Sequence, residues 1–511
     1  MNPTYLRKFY PSLICLIALL LGVASQAQTA PALFPGSPAT TNSVDSSTPP
    51  ALFRTPKLAL VGGPAPQAVA TADMDGNGFS DLVVAIQNHA GPAGAVSVAL
   101  ASAGGFLGQP VLYGSGGYEA SAVAIADLNH DGKPDIAVAN RGCSPTGGCQ
   151  VSSVAVLLGN GDGTFQTAEP YSLGISGATS VAIADLNRDG IPDLISGGLD
   201  SIVVLLGNGD GTFQPAVSFP AALRPMSVAV ADLNSDGKLD VVCSGQKISA
   251  GQTLSVLLGN GDGTLQAPIQ FSSGVSAGGD SPNVVLADVN NDGRLDILAT
   301  NYPDGTVAVL LNRGHAAFSL AKTYSTGSIN SWALAVADVN ADLKRDIIVA
   351  NLAPVYSVLL GNGNGTFQAP FTYPLSTGGN SVAITDLNHD RRPDLLILDG
   401  GAFVDYFLNN AAPVMSTTTT LVSSANPSIV GQAITFTANV TSPAGPAPTG
   451  EFITFKSGST TLGTVALIKG SASIHVKSLA VGTHTITASY PGDTDFLRPS
   501  RSPNLQQVIT P

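Results

Sequence analysis

DLNHDGKPD at Asp127 to Asp135, followed by VLLGNGDGTFQ at Val156 to Gln166, is one copy of a unit that recurs along most of the chain. The nine-residue part occurs seven times, over Asp73–Asp81, Asp127–Asp135, Asp185–Asp193, Asp232–Asp240, Asp288–Asp296, Asp338–Asp346 and Asp386–Asp394. Successive starts lie 54, 58, 47, 56, 50 and 48 residues apart. Each copy follows an alternating small-apolar run such as Ser180–Ala184 and leads into a second such as Asp135–Ala139, which reads as strand, loop, strand. A third apolar run then enters the glycine-rich reversal, found again at Val204–Gln214, Val256–Gln266 and Val358–Gln368. Asn-Gly and Asp-Gly supply the positive φ angles of a tight hairpin, so the reversal joins strands three and four. Four antiparallel strands per unit, repeated without a helical segment, predict the blades of a seven-bladed β-propeller over residues 51–412, with a solenoid as the competing architecture.

The phase of the repeat supports a closed ring. The seventh copy ends on its third strand at Val404–Asn409, and the missing fourth is supplied from the other end, where Phe53–Ala59 matches Phe165–Tyr171 relative to the next acidic loop. Closure removes the open sheet edges of a linear array.

The acidic loops carry the clearest chemistry. Asp-x-Asp/Asn-x-Asp/Asn-Gly-x-x-Asp sets oxygen ligands at positions 1, 3, 5 and 9 with the carbonyl of position 7 turned inward, the hard coordination that calcium prefers. The ligands expected are Asp73, Asp75, Asn77, Phe79 and Asp81; Asp127, Asn129, Asp131, Lys133 and Asp135; and Asp185, Asn187, Asp189, Ile191 and Asp193. Asp232, Asn234, Asp236, Lys238 and Asp240, then Asp288, Asn290, Asp292, Arg294 and Asp296, complete five strong sites for Ca2+. The last two loops, with Asp338, Asn340, Asp342 and Asp346 and with Asp386, Asn388, Asp390 and Asp394, are expected to bind weakly, because Leu343 and Arg391 replace the glycine at position 6. Of 35 carboxylates, 21 lie in these loops, and their mutual repulsion calls for a cation.

The paired signatures DLNxDGxxD and VLLGNGDGTFQ resemble the FG-GAP/VCBS repeat family, similar to the propeller of integrin α-subunits with calcium in β-hairpin loops. The resemblance implies the fold and the calcium ligands, and no single activity. After Ala412, short Thr/Ser-rich alternating strands predict an immunoglobulin-like β-sandwich over residues 413–511, and GTHTITASYPGD at Gly482–Asp493 is similar to bacterial immunoglobulin-like domains.

Composition agrees with an all-β, exported protein. Only 11% of the 511 residues are charged, while 57 Gly and 35 Pro favour strands and turns over helical bundles. A net charge of −13 leaves no basic surface for nucleic acid. Arg7 and Lys8 precede an apolar run from Leu13 to Val23, with Ser25 and Ala27 before a cleavage point, so residues 1–27 read as a secretory signal peptide. The mature chain is then secreted or held at the cell surface or in the periplasm, without a membrane span. Residues 28–50 read as a Ser/Thr/Pro-rich linker, and Cys143 with Cys149 as a disulfide closing a short loop.

No His-Glu-x-x-His, Cys-His metal spacing or phosphate loop occurs, and the reading is of a non-enzyme. Acidic loops and glycine hairpins share one face of the ring, nearly invariant between repeats. The opposite face carries connections of varying length, where recognition ordinarily resides. Its ligand candidates are Tyr118, Arg141, Lys247, Tyr302 and Trp332. The expected function is a monomeric extracellular binding or adhesion module for a glycan or protein, with calcium structural. The alternatives are a polysaccharide-active enzyme of the propeller lyase type and a structural spacer in an envelope assembly.

Overall fold

The computed structural model describes residues 52–87, 94–142, 151–221, 223–247, 253–276, 279–390, 392–410, 417–442, 445–446, 452–491 and 500–511. The expected signal peptide and linker, the Cys143–Cys149 pair and Arg391 lie outside these residues. Among the described residues every regular element is a β-strand, and no helix is long and apolar enough to cross a membrane.

Seven four-stranded antiparallel sheets correspond to the seven acidic loops. Numbered in chain order, their inner strands are Pro66–Ala72, Ala120–Ala126, Ser180–Ala184, Leu223–Ala231, Val284–Ala287, Ser331–Ala337 and Gly379–Thr385. Sheet 2 shows the pattern: Ala120–Ala126, Asp135–Asn140, Ser153–Leu157 and Glu169–Ser172 pair in order. Its second strand is buried throughout, its third nearly so, and its fourth lies at the rim. Alanine and other small residues fill the inner strands, where the sheets converge.

The core sits between sheets, not within one. Ala137, Ala139, Val154 and Val156 of sheet 2 pack on Leu194, Val203 and Leu205 of sheet 3, and each further pair of successive sheets shares an equivalent cluster. The circuit closes where Leu82, Val84 and Ile86 of sheet 1 meet Leu396, Leu398 and Val404 of sheet 7. The fourth strand of sheet 7 is Lys57–Leu60, paired antiparallel with Phe403–Phe407, and Phe53 bridges Asn409 as Phe165 bridges Gly159. The N-terminal strand therefore completes the last sheet, as the phase of the repeat predicts. Asn380 Nδ2 donates to Pro66 O at 2.6 Å across the same seam.

The reversal VLLGNGDGTFQ does more than turn the chain. Its third glycine sits under the leucine preceding the hairpin of the previous sheet: a Cβ on Gly211 meets Leu158 at 2.8 Å, and one on Gly263 meets Leu206 at 2.6 Å. Its phenylalanine meets the aromatic of the previous sheet's rim strand edge to face, as in Tyr113–Phe165, Tyr171–Phe213 and Tyr324–Phe367, each about 5.3 Å between centroids. The motif recurs in register because each copy locks onto the sheet before it.

After the propeller, strands Thr418–Ser423, Ile434–Ser442 and Ser471–Val476 form one sheet and Phe452–Ser457, Thr460–Ala466, Gly482–Tyr490 and Leu505–Thr510 the main part of another. Phe436, Phe455, Ile486 and Tyr490 fill the space between them without a disulfide. This is the sandwich expected from the alternating pattern.

Candidate functional site

The acidic loops fold on their own side chains. In the second loop Asp127 accepts the backbone N–H of Asp131 at Oδ1 and of Gly132 at Oδ2, at 3.1 and 2.8 Å. Asn129 and Asp131 cap the next N–H groups at 3.0 Å, drawing the oxygen ligands to one side of the turn. The first loop differs. Asp73 Oδ2 accepts from Gly78 N at 2.8 Å, while its Oδ1 is buried with no hydrogen-bond partner. Among the described residues one carboxylate triad, Asp73, Asp75 and Asp81, offers an oxygen from each within 4.8 Å of the others. A buried carboxylate oxygen without a donor, on a residue of that triad, fits a hard divalent cation.

The aspartate at position 9 has a second role that its spacing does not reveal. Asp135 accepts Leu128 N at Oδ2 (2.9 Å) and Gly159 N at Oδ1 (2.7 Å), clipping its own loop to the hairpin of the same sheet. Asp81, Asp193, Asp240, Asp296, Asp346 and Asp394 repeat the clip, and all seven are fully buried. Burial, opposed by the two N–H donors and reinforced by neighbouring loop carboxylates, raises Asp81 and Asp296 to about 6 and Asp346 and Asp394 to about 7. A raised folded-state value favours the protonated fold, so this contribution is full below about pH 4 and is lost as pH rises through 6 to 7. In chelator the melting temperature is therefore expected to fall between pH 5 and pH 7.5. Saturating calcium, which favours the ionised carboxylates, is expected to flatten that slope in a scan of both series.

Position 7 separates the loops. Lys133, Lys238 and Lys344 hold the position-5 aspartates Asp131, Asp236 and Asp342 at 3.4, 4.0 and 3.3 Å, and Arg294 pairs with Asp292. Such exposed pairs add little stability, but each puts a positive charge on an oxygen that a cation would use. The first and third loops carry Phe79 and Ile191 at this position and no such charge. In the sixth loop Leu343 occupies the glycine position at φ 65° with 46% of its surface exposed. Leu343→Gly is expected to raise stability by about 0.5–1 kcal/mol, relief of the left-handed strain outweighing the added unfolded-state entropy, read from the denaturant midpoint. At position 4 of the seventh loop, His389 stacks on Phe79 at 4.4 Å instead of projecting freely into solvent.

On the opposite face the candidates form two groups. Tyr118 helps line a shallow depression of about 480 Å³ with Gly116, Gly142, Ser152 and Ser172, and Arg141 is the chain neighbour of Gly142, its backbone N–H donating to Glu119 O at 3.1 Å. Tyr302 and Trp332 meet edge to face at 5.7 Å where sheets 5 and 6 adjoin. Both are half-buried, Trp332 resting on the core between sheets 6 and 7. Lys247 ends the second strand of sheet 4, paired with Leu223, and its side chain lies outside the described residues. Sheet 2 and the junction of sheets 5 and 6 are well separated around the ring, so Tyr118 and Arg141 do not share one cleft with Tyr302 and Trp332. Residue patterning misses two residues on the same connections, Asp304 two places after Tyr302 and Ile329 three places before Trp332. Asp304 is clamped through both oxygens by Ser276, with N–H to Oδ2 at 2.6 Å, and Ile329 is 64% exposed. Neither belongs to a repeated motif, and they lie on two connections that differ between sheets.

Comparison with known proteins accords with this architecture. The repeat described as FG-GAP-like matches residues 73–138, 146–196, 185–243, 247–299, 288–349 and 338–397, together more than half of the chain. The FG-GAP repeat matches 120–157, and the bacterial Ig-like domain (group 3) matches 421–510. Among curated proteins none matches. A solved structure, described for specific recognition of non-reducing terminal N-acetylglucosamine by an Agrocybe aegerita lectin, is similar at 18% identity and a TM-score of 0.43, covering 80% of this chain and 98% of that one. By its repeats the chain belongs to the FG-GAP-like repeat family and carries a C-terminal bacterial Ig-like domain.

Proposed function

We propose that the chain is an exported, non-enzymatic binding module that seats an extracellular glycan on the variable face, at the junction of sheets 5 and 6. The observation that carries this is the Tyr302–Trp332 pair, two half-buried rings held edge to face on connections that also carry the exposed Ile329 and the Asp304 carboxylate anchored by Ser276. An aromatic face with a fixed carboxylate suits a pyranose, whose C–H face stacks while its hydroxyls donate. The wide separation of Tyr118 and Arg141 from this pair supports binding over a lyase reaction, which needs its acid, base and cationic groups within one cleft.

Calcium is proposed as a structural ion. Asp73, Asp75 and Asp81 would hold it first, with Asn77 and the Phe79 carbonyl, and the ion would supply positive charge that balances three clustered carboxylates. The third loop, without a cation at position 7, ranks next.

Retention of the purified protein on a polysaccharide panel tests the reading, with oligosaccharide release assayed in the same wells. Retention without release is expected, weakened at least about tenfold by Trp332→Ala and by Tyr302→Ala. Release of oligosaccharide, or retention unchanged in both variants, contradicts it. A protein ligand becomes the better reading if no glycan is retained.

A further inference from the structure

The repeats serve as an internal control for the junction of sheets 5 and 6. Trp332 is a bulge residue: Ser331 pairs with Asn351 and Ala333 with Ala350, and Trp332 between them is skipped. Sheets 2 and 7 bulge at the same place, with Ser121 and Asn380, and there the bulge side chain ties its sheet to the next. Ser121 Oγ donates to Ala178 O at 2.9 Å, and Asn380 Nδ2 to Pro66 O at 2.6 Å. The Trp332 ring meets Tyr302 instead, and its bulge is tied from the preceding sheet, where Thr300 Oγ1 donates to Trp332 O at 3.0 Å. Thr300 Oγ1 accepts Asn283 N at 3.2 Å, and Asn283 Oδ1 accepts Leu334 N at 3.0 Å, two residues past the bulge. Asn283 Nδ2 reaches back to Ser227 Oγ of sheet 4 at 3.3 Å.

Folding the repeat does not ask for this network. Four residues beyond the position-9 aspartate, where sheet 5 has Thr300, the other sheets carry Ala85, Ala139, Gly197, Ser244, Ala350 and Leu398. Ser244 is the one other hydroxyl at that place, and its buried Oγ has no hydrogen-bond partner among the described residues. Five residues ahead of position 1, where sheet 5 has Asn283, the others carry alanine or serine, and the nearest counterpart is Ser381, whose Oγ accepts Val69 N at 3.4 Å. Thr300 is fully buried and stands two residues before Tyr302, so both side chains leave the strand on the side that faces sheet 6. One holds the backbone of Trp332 and the other meets its ring at 5.7 Å. Tyr302 is itself pinned to Asp280 by paired backbone bonds of 2.8 and 2.9 Å.

We propose that Thr300 is the positioning residue of the aromatic platform, fixing the bulged Trp332 against Tyr302 before a ligand arrives, with Asn283 holding both Thr300 and the strand that follows the bulge. What the platform receives rests on the glycan reading above; how the platform is held does not. A ring that is already ordered loses little freedom on binding, so a hydroxyl buried out of the ligand's reach still adds to affinity. Without that hydroxyl the bulge is held only through its neighbours, and binding then bears the cost of ordering the indole.

The test uses the full mature chain at fixed calcium. It reads the time-resolved anisotropy of Trp332, the single tryptophan, and the affinity for the polysaccharide retained best on the panel. Thr300→Ala matches what sheets 1, 2 and 6 carry at this place, so the fold is kept. It is expected to give the indole a nanosecond rotation that the wild type lacks and to weaken polysaccharide binding at least about fivefold. Thr300→Ser keeps the hydroxyl and is expected to restore both. Ser121→Ala removes the corresponding tie between sheets 2 and 3 and is expected to change neither, which separates positioning from a general loosening of the ring. A wild-type anisotropy decay in Thr300→Ala overturns the proposal whatever binding does. So does a loosened ring with unchanged affinity, a Thr300→Ser variant as loose as Thr300→Ala, or equal loosening in Ser121→Ala. If the wild type retains no polysaccharide, the glycan reading fails, and the anisotropy comparison still decides how Trp332 is held.

Discussion

Asp193→Ala is expected to destabilise the propeller by about 2–6 kcal/mol, because it strands two buried backbone N–H groups at about 1–3 kcal/mol each. Those donors are Leu186 N and Gly207 N, both 2.9 Å from the carboxylate, and the side chain is fully buried. Asp193→Asn is expected to cost about half as much, since its carbonyl oxygen still accepts one N–H while its amide NH2 faces the other. The test is denaturant unfolding in chelator, where a residue that served only as a cation ligand would show no loss. Equal stability of wild type and Asp193→Ala under those conditions would remove the clip from the account. The same substitution in any other sheet is expected to behave alike, because the geometry recurs in all of them.

Chelation is expected to have the other large effect. A cation present at about a hundred times its dissociation constant stabilises the folded state by about 2.7 kcal/mol per site, provided the unfolded chain does not bind. Asp73→Asn is expected to abolish most of the calcium-dependent rise in melting temperature, since it removes the charge behind the buried, unpartnered Oδ1. Asp131→Asn is expected to leave most of that rise intact, because Lys133 already faces its carboxylate. A calcium titration of the wild type should accordingly show one or two tight sites, not five equal ones. Five equal sites would mean that the position-7 cations swing away at no cost.

The fold was legible because the repeat speaks twice in each unit. Alternating apolar runs around an Asp/Gly-rich loop and an Asn-Gly hairpin fix four strands, and the out-of-phase Phe53–Ala59 segment foretells the closing strand, Lys57–Leu60. Individual strand limits were less so: the rim strand of sheet 2 begins at Glu169, past the hairpin, while Phe165 keeps a separate bridge to Gly159 and meets Tyr113 of sheet 1. That interlock depends on a residue one unit away, as does the fit of Gly211 beneath Leu158. Reading each unit alone hides both.

The candidate sites were legible to different degrees. Loop spacing marks which oxygens converge, but not that position 9 is occupied by two N–H donors, nor that position 7 supplies counter-charges to Asp131, Asp236, Asp292 and Asp342. The variable face is harder, since contacts such as Ser276 to Asp304 join residues from unrelated connections with no period to betray them. Tyr302 and Trp332 were recognisable as aromatics near one face, and the structure adds that they touch while Tyr118 lies elsewhere.

Trp332 is the one tryptophan of the chain, so its emission reports the proposed platform without a label. The most direct measurement is that emission during titration with the polysaccharide retained best on the panel, at fixed calcium. A saturable change whose midpoint matches retention, lost in Tyr302→Ala, is the predicted result. Firm retention with Trp332 emission unchanged to saturation would place the ligand elsewhere and contradict the account.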